Sequence, residues 1–485
     1  MTASGLPASA PGRVIEDIYP LTALQQGMLF HTQAAAPGTY WAQRGLLLEG
    51  ELDVAALWRA WEVVFARHAV LRSAVVWDGV PVPVQVVSRR VPLPLRVVDC
   101  GGVDGQAVVG RYLAADREAG ADFSGPSLVR LVLVRLGPGR WQLVWSFHHL
   151  LLDGWSIPLV LGEVLAAYQA LCAGREPEFA AVRPFREYVA WAAAQDPAAA
   201  RDYWRRRLAG ITAATSLGVE RDTGRRGLGT CQRSLPGAGL ARAARRERVT
   251  PNTVVQGAWA VLMSVYSGDD EVLFGVTAAG RENEVQNVES MVGLLISTTP
   301  ACVRVDRDRP VWAWLRDLQH EQARDRQFGH TPLVDIQACS DIPAGQPLFS
   351  VVFVFENYPT TAPQDSSTPA TTATTTTTGL HAKGNLSRIE TSYPSRTATS
   401  YPLMVAVNSG SRILIDLGYE RSRFDDATIE RLAGHLGVLL AGIAADPGRR
   451  VGDVPLVAAA EREELLAAGA GPAGPAAGAG GVHEL

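Results

Sequence analysis

Residues 128–168 contain the feature that most constrains how this 485-residue chain can fold. Two apolar, β-like runs, LVRLVLVRL and WQLVWSF, flank a Gly-Pro-Gly turn at residues 137–139, a pattern that predicts a β-hairpin. The run HHLLLDGW at residues 148–155 follows the second strand directly, and apolar residues then recur every three or four positions, which predicts a helix. A strand therefore delivers two histidines and one aspartate to the start of a helix.

The rest of the chain alternates between helical and strand-like patterns. Thr22 and Gln25 match a capping box, which predicts a short helix through Phe30. A helix that starts at Asp53 should close within the segment 67–72, where a strand opens. Further helices are predicted at 251–267, 311–326 and 426–445, and further strands at 271–277, 348–355, 403–407 and 412–419. This order predicts an α/β fold throughout.

Composition excludes several classes of protein. With 47% hydrophobic and 19% charged residues the chain is not disordered as a whole, and its length suffices for two or three compact units. A net charge of −4 gives no reason to expect nucleic acid as a partner. The five cysteines form no CxxC pair, and no apolar stretch reaches the roughly 18 residues of a membrane span. We therefore expect a cytoplasmic protein without a membrane partner.

Three segments have the composition of flexible chain. Residues 360–378 are rich in Thr and Ser and cannot bury enough apolar area to order themselves, so we predict a mobile Thr-rich surface loop over 360–398. Residues 467–481 are rich in Ala, Gly and Pro, which is typical of a linker between domains. The first residues are small, and we predict a flexible N-terminal tail over 1–16.

The two histidines and the aspartate can serve chemistry or merely hold the fold. Histidine titrates near neutral pH, so one imidazole can accept a proton from, or hydrogen-bond to, a reacting group. A buried aspartate is tolerated only when it is paired, and arginine is its natural partner. Metal binding is a further alternative, but neither an HExxH pattern nor a third clustered ligand accompanies the run. We predict no metal site.

The run HHLLLDGW resembles the HHxxxDG signature of condensation domains in nonribosomal peptide synthetases. Six more segments resemble motifs of this family in the same order along the chain. They are LTALQQGMLF at 21–30, RHAVLR at 67–72, FREYVAW at 185–191, VGLLISTTP at 292–300, HTPL at 330–333 and YPL at 401–403. This ordered agreement covers nearly the whole chain, whereas HHxxxDG alone is shared with other acyltransferases.

The resemblance implies an α/β fold of two chloramphenicol-acetyltransferase-like lobes, which form a V-shaped pseudodimer with a central tunnel. We expect the N-terminal lobe at residues 17–178 and the C-terminal lobe at residues 179–462. A linker toward a neighbouring adenylation domain is expected at residues 463–485. The resemblance also implies that the HHxxxDG run lies midway along the tunnel.

The resemblance further implies that the protein forms peptide bonds. Donor and acceptor carrier proteins would dock at opposite mouths of the tunnel and insert phosphopantetheine arms that carry aminoacyl or peptidyl thioesters. We expect a monomeric domain that binds no cofactor of its own, because the carriers supply the phosphopantetheine. Positioning should dominate catalysis, since the thioester is already activated and an α-amine with a pKa of about 8 is partly neutral in the cell.

Within the motif, we expect His149 to be the catalytic imidazole. Its role as a base, as an orienting group or as a stabiliser of the tetrahedral intermediate stays open. His148 is expected to be its structural neighbour, and Asp153 and Trp155 to support the turn. Gly154 allows close approach of the backbone, and its amide is a candidate donor to the oxyanion.

The resemblance also suggests partners and lining residues. Asp153 is expected to pair with Arg72, because the RHxxLR motif ends there, with Arg67 as the alternative. Residues expected to line the tunnel are Gln25, Ser297, Thr298 and Tyr401. Ser297 stands where the family usually has Asn, which weakens the role of that position or shares it with Thr298.

The amino-acid sequences of the motifs also suggest a subtype within the family. The segments LQQGMLFH, LLLDGWSIPL and LFSVVFVFENYP are most similar to the subtype that joins a D-configured donor to an L-configured acceptor. One alternative function is a free-standing acyltransferase of the same fold that makes esters, although the DFGWG motif of the plant-type branch is absent. Another is a noncatalytic platform that recruits other enzymes, against which the intact HHxxxDG run counts.

Overall fold

The computed structural model describes residues 14–34, 37–100, 104–123, 125, 127–343, 345–356, 386–393, 400–410 and 412–469. The strands are, in chain order, β1 (Ile15–Pro20), β2 (Trp41–Gly50), β3 (Ser73–Val76), β4 (Val84–Ser88), β5 (Leu95–Asp99), β6 (Val129–Gly137), β7 (Arg140–His148), β8 (Leu228–Pro236), β9 (Glu271–Ala278), β10 (Ser297–Arg304), β11 (Val351–Glu356), β12 (Leu386–Tyr393), β13 (Leu403–Ser409) and β14 (Arg412–Glu420). The helices are α1 (Ala23–Ala34), α2 (Val54–Arg67), α3 (Gly105–Ala119), α4 (Ser156–Cys172), α5 (Arg186–Ala193), α6 (Pro197–Arg207), α7 (Ala238–Glu247), α8 (Pro251–Ser267), α9 (Val311–Gln327), α10 (Leu333–Gln337), α11 (Asp426–Ala445) and α12 (Ala459–Gly469).

The elements predicted from periodicity are confirmed, with bounds that shift by a few residues. The predicted hairpin is the antiparallel pair β6–β7, whose turn is closed by Gly139 at φ +64°. The capping box at the start of α1 is reciprocal, because Thr22 N–H donates to Gln25 Oε1 at 2.9 Å and Gln25 N–H donates to Thr22 Oγ1 at 3.4 Å. Helix α1 runs to Ala34, one turn beyond the predicted end at Phe30.

The N-terminal part of the chain builds a five-stranded sheet in the order β12-β2-β7-β6-β5. Helices α2 and α4 contribute Trp61, Val64, Val160 and Tyr168 to one core, in which the sheet residues Trp145 and Phe147 are also buried. Helix α3 forms a smaller cluster with β6 and β7. Apolar side chains on both faces explain why β6 and β7 read as nearly continuous hydrophobic runs.

A second, three-stranded sheet in the order β1-β4-β3 closes the end of α2. The Arg72 side chain is buried there and satisfies the carbonyl oxygens at the end of that helix. Its Nε donates to Phe65 O at 2.8 Å and its Nη2 to Ala66 O at 3.2 Å. Its Nη1 donates to Ser88 O and pairs with Glu16 Oε2 at 2.8 Å. Arg72 therefore anchors helix, sheet and N-terminal strand to one another.

The C-terminal part builds a six-stranded sheet in the order β10-β9-β11-β13-β14-β8. Its two central pairings, β9–β11 and β11–β13, are parallel, and the outer pairings are antiparallel. Helices α7, α8, α9 and α11 bury their apolar faces in the large core of this lobe. Helix α11 is, among the described residues, the one helix long and apolar enough to cross a membrane by length and composition, and 56% of its apolar window is buried in this core.

Strand β12 links the two lobes, because it comes from the C-terminal half but pairs antiparallel with β2. The prediction of a mobile loop over 360–398 is therefore wrong for residues 386–393. These residues are ordered because they pair with the edge of the sheet at β2 and bury Leu386 and Ile389, which are 4% and 2% exposed. The Thr-rich residues 360–378 lie outside the described residues.

The predicted ends also need correction. Ile15 and Glu16 belong to β1, which pairs with β4, so the predicted tail of 1–16 is too long at its C-terminal end. The predicted linker of 463–485 begins inside α12, whose run of Ala, Glu and Leu residues favours a helix. Residues 1–13 and 470–485 lie outside the described residues. The predicted lobe boundary at 178/179 falls between α4 and α5.

Replacing Arg72 with Met should lower the free energy of unfolding by about 2–4 kcal/mol, because each buried acceptor left without a donor costs about 1–3 kcal/mol. Chemical denaturation of the variant measures this loss. Arg59→Met is the matched control, since Arg59 pairs with Glu62 on the surface at 60% side-chain exposure and should cost under about 1 kcal/mol. Equal losses in the two variants would contradict the anchoring role of Arg72.

Candidate functional site

The HHLLLDGW run lies at the turn between β7 and α4, where the two lobes meet. His148 is the last residue of β7 and is paired with Trp41 of β2. The backbone of Asp153 donates to Gly293 O at 3.2 Å, and the indole of Trp155 donates to Glu289 O at 2.9 Å. The turn is thereby bonded to the segment that precedes β10 in the C-terminal lobe.

Asp153 is buried and forms a bidentate ion pair with Arg281. Arg281 Nη1 donates to Asp153 Oδ2 at 2.8 Å and Nη2 donates to Oδ1 at 3.2 Å, with side chains that are 3% and 0% exposed. The carboxylate also accepts from Ser156 N at 2.8 Å and Leu295 N at 2.9 Å. The guanidinium donates further to Met291 O at 3.2 Å. Both carboxylate oxygens and both Nη atoms are thus hydrogen-bonded, which makes the buried charge pair tolerable, although Arg281 Nε has no partner among the described residues.

The prediction that Asp153 pairs with Arg72, or alternatively with Arg67, is wrong. Arg72 is occupied by the carbonyl oxygens at the end of α2. Arg67 donates from Nε to Glu163 Oε1 at 3.1 Å, which ties α2 to α4. Both arginines thus hold elements of the N-terminal lobe together, and the aspartate takes its partner from the other lobe.

Sequence reasoning missed Arg281, although one signal was present. Arg281 follows Gly280 and lies three residues beyond the end of β9, and the histidine pair likewise lies at the end of a strand, β7. Gly280 has φ +65°, and a Cβ atom at this position would lie 1.7 Å from Leu295 O. Only glycine fits such an approach, so the tight turn that aims Arg281 at Asp153 requires it. The guanidinium also lies over the Trp155 ring, 5.3 Å from its centroid.

Both ring nitrogens of His148 are used within the protein. Its Nδ1 accepts from Leu150 N at 3.1 Å, and its Nε2 lies 2.9 Å from Thr32 Oγ1. The side chain is fully buried, and this burial lowers the pKa of His148 to about 3. His148 is therefore neutral and fully hydrogen-bonded, which suits a structural residue.

His149 differs from its neighbour in its ring contacts. Its backbone N–H donates to Tyr40 O at 2.8 Å, but its Nδ1 is buried without a hydrogen-bond partner among the described residues. The residue as a whole is half-buried, and burial lowers the pKa of the imidazole from its ordinary value. The neutral ring therefore keeps hydrogen-bonding capacity that no described residue uses, in contrast to the ring of His148.

Tyr40 is a second residue that sequence reasoning missed. It adopts φ +57°, which is unusual for a residue with a side chain, and this conformation accompanies the bond of its carbonyl to His149. Its hydroxyl lies 3.0 Å from Ser400 Oγ, and its ring contacts the ring of His148 with centroids 6.4 Å apart. Tyr40 thus joins the histidine pair to the segment that contains Tyr401. No local sequence pattern marks it.

The four residues predicted to line the tunnel divide into two groups. Gln25 is fully buried and donates from Nε2 to Leu150 O at 2.9 Å, so the prediction that it lines the tunnel is wrong: it supports the turn. Ser297 and Thr298 are half-buried at the start of β10, and Thr298 Oγ1 lies 3.3 Å from Thr277 Oγ1. Tyr401 stacks on Phe349, and burial raises the pKa of its hydroxyl. Their lining role stays a prediction.

A surface cleft of about 380 Å³ lies on the C-terminal lobe between the end of β10 and α9. Its lining includes Arg304, Trp314 and Glu321, and it touches none of the residues of the HHLLLDGW turn. Within the described parts of the chain, no group of three His, Cys, Asp or Glu side chains is placed to hold a metal ion.

A family model described as a condensation domain matches residues 15–466. The chain is 38% identical to one subunit of the linear gramicidin synthase of Brevibacillus parabrevis over 471 residues, which are 94% of this chain and 6% of that protein. It is 34% identical to chondramide synthase cmdD of Chondromyces crocatus over 495 residues, which are 93% of this chain and 12% of that protein. The chain thus spans only a small part of these relatives.

Solved structures agree with the predicted two-lobed fold. The X-domain and OxyB complex from teicoplanin biosynthesis matches with 25% identity and a TM-score of 0.73, covering 94% of this chain and 100% of that one. The first condensation domain of the calcium-dependent antibiotic synthetase, in complex with substrate analogue 2a, matches with 20% identity and a TM-score of 0.72. It covers 91% of this chain and 100% of that one. The chain belongs to the condensation domain family.

Proposed function

We propose that this chain forms peptide bonds between two carrier-bound substrates. The acceptor's amine attacks the donor's thioester carbonyl, the phosphopantetheine thiol leaves, and the donor acyl group ends on the acceptor as an amide. The observation that carries the proposal is the contrast between the two histidines. His148 is fully hydrogen-bonded, whereas His149 has an unused ring nitrogen at the junction of the lobes. The family of the chain and its intact HHxxxDG run support the same reaction.

His149 is the catalytic residue in this proposal. Its neutral imidazole accepts a hydrogen bond from the attacking amine, and this contact either orients the amine, takes up its proton or stabilises the tetrahedral intermediate. Asp153 and Arg281 act at a distance by holding the turn against the other lobe. Gly154 lies in the same turn, and a role of its amide as an oxyanion donor is part of the proposal.

The partners in this proposal are a donor and an acceptor carrier protein. Each supplies a phosphopantetheine arm, so the domain needs no cofactor of its own. The relatives are far longer than this chain, which supports a neighbouring adenylation domain and a place within a larger cytoplasmic synthetase. Ser297, Thr298 and Tyr401 line the path of the arms toward His149 in the proposed arrangement.

We also propose that the donor residue is D-configured and the acceptor L-configured, on the similarity of the motif sequences alone.

The experiment that tests the main proposal mixes the protein with two differently loaded carrier proteins and identifies the product by mass spectrometry. An amide supports peptide-bond formation, and the donor enantiomer consumed decides the subtype. An ester formed from a hydroxyacyl acceptor, with no amide from the amine, would favour the alternative acyltransferase.

A noncatalytic recruitment platform is the second candidate function. The observation in its favour is the likeness to an X-domain that was solved as a complex with another protein, OxyB. For such a platform neither amide nor ester accumulates above a control without the protein, and binding of a partner protein is the measurable activity.

His149→Ala should lower the rate of amide formation by about 100-fold or more, because acid–base or hydrogen-bonding groups at a reacting centre typically contribute about 10²–10⁴-fold. Single-turnover measurements with both carriers preloaded give the rate, and thermal unfolding verifies that the variant is folded. His31→Ala is the control, since His31 is an exposed imidazole near the end of α1. A His149→Ala protein with the wild-type rate would refute the assignment.

Breaking the buried ion pair should cost stability as well as activity. Asp153→Asn and Arg281→Met should each lower the free energy of unfolding by about 3–5 kcal/mol, because each leaves a buried charge without its partner. The double variant should cost less than the sum, since no unpaired charge remains. Asp202→Asn is the surface control, as Asp202 meets Arg205 with both side chains about two-thirds exposed. Strict additivity in denaturant titrations would speak against the pairing.

The single-turnover rate should fall in two steps as the pH decreases. The first step is protonation of the acceptor amine, and the second, at lower pH, is protonation of His149. Burial disfavours the charged imidazole and lowers the pKa of His149, so its active neutral form persists as the pH falls through about 6.5. We therefore expect the logarithm of the single-turnover rate to fall with slope one below about pH 8 and to steepen only below about pH 6.5. A slope of two already present at pH 7 would contradict the lowered pKa.

A further inference from the structure

We propose that helix α1 is a positioning element for His149, and that Thr32 is the residue through which it acts. This inference rests on the proposed function, because it assigns a task in the same reaction. Thr32 does not touch His149 itself. It reaches the catalytic turn through His148 and through Leu150, the residue that follows His149.

The hydrogen bonds that connect Leu150 to α1 through the His148 ring have a defined direction. A backbone N–H can only donate, so the bond from Leu150 N to His148 Nδ1 requires that this nitrogen be unprotonated. The proton of the neutral ring must then be on Nε2, which donates to Thr32 Oγ1 at 2.9 Å. The Thr32 hydroxyl in turn donates to Met28 O at 2.7 Å, so every donor in the chain has an acceptor.

The His148 ring does not gain a second proton at working pH. Because burial lowers the pKa of His148 to about 3, the ring stays neutral and keeps a single N–H. The ring is also 0% exposed, so water does not replace Thr32 as the acceptor. Thr32 therefore accepts the one N–H of the neutral His148 ring and, together with the Leu150 N–H on Nδ1, fixes the orientation of the ring.

A second contact from α1 holds the same residue. Gln25 Nε2 donates to Leu150 O at 2.9 Å, and Gln25 Oε1 is fixed by Gln85 Nε2 at 3.0 Å. Gln25 and Thr32 are seven residues apart, which places them two turns apart on one face of the helix. One helix face thus binds the carbonyl of Leu150 directly through Gln25 and its N–H indirectly through Thr32 and His148. These contacts fix the orientation of the two peptide units on either side of Leu150, the first of which follows His149 directly.

The test compares Thr32→Val with Thr32→Ser. Valine has the shape of threonine but no acceptor, so the His148 Nε2–H loses its partner and the turn shifts. We expect kcat for amide formation to fall by about 10- to 100-fold, since a misplacement of about 1 Å at a reacting group costs up to about 100-fold. KM for each carrier should stay within about twofold, because Thr32 contacts neither carrier in this scheme. Serine keeps the acceptor and should restore most of the rate.

Two further measurements separate positioning from general destabilisation. Thr253→Val is the matched control, because Thr253 is a buried threonine in α8 of the C-terminal lobe, where its hydroxyl donates to Gln322 Oε1 at 2.8 Å. It should lose stability as Thr32→Val does, yet retain its kcat. In protein labelled with ¹⁵N-histidine, the His148 ring should show a protonated Nε2 and an unprotonated Nδ1 in the wild type, and altered shifts in Thr32→Val only.

The outcomes distinguish this inference from the proposed function. If the wild type makes no amide, the proposed function fails, and the ¹⁵N shifts of His148 alone decide whether Thr32 accepts the Nε2–H and holds the ring. If the wild type is active, a Thr32→Val protein with full kcat overturns the positioning role. Equal impairment of the Val and Ser variants, or unchanged His148 shifts in Thr32→Val, overturns it as well.

Discussion

The buried pair of Asp153 and Arg281 is the interaction on which the rest of the site depends. Removing two charges from water is costly, and the pair is tolerable only because each remaining polar atom of the carboxylate is hydrogen-bonded as well. Those bonds come from both halves of the chain: Ser156 belongs to the turn and Leu295 to the segment before β10. The pair can therefore form only when the two lobes are in contact. The shape of the HHLLLDGW turn therefore depends on contact between the lobes.

The two adjacent histidines differ because side chains alternate along a strand. His148 ends β7 and points into the protein, where Thr32 and the Leu150 backbone take up both of its nitrogens. His149 is one residue further on, and its own backbone is tied to Tyr40 while its ring nitrogen stays unused. Identical side chains thus differ through position alone, and in the proposed reaction one is structural and the other catalytic. The left-handed backbone of Tyr40 is part of that arrangement.

The extent to which the sequence predicted this structure follows the range of the interactions. Hairpin β6–β7, helix α4 and the capping box of α1 depend on residues that are close in sequence, and periodicity predicts them correctly. The partner of Asp153 lies 128 residues away, and no local pattern distinguishes Arg281 from Arg72. Strand β12 was missed for the same reason, since its order comes from pairing with β2 across the lobes. The motif similarity indicated the candidate site but not the ion pair within it.

The lowered pKa of His149 bears on how the proposed reaction proceeds. An acceptor ammonium has a pKa of about 8, so proton transfer to an imidazole below 6.5 runs uphill by at least about 2 kcal/mol before any bond forms. Deprotonation of the resting ammonium is therefore a poor use of this residue. Once the neutral amine has attacked, its nitrogen becomes cationic and much more acidic, and an adjacent neutral imidazole can then take up the proton. A buried, weakly basic histidine with an unused nitrogen fits that later step, and it fits an orienting hydrogen bond before it.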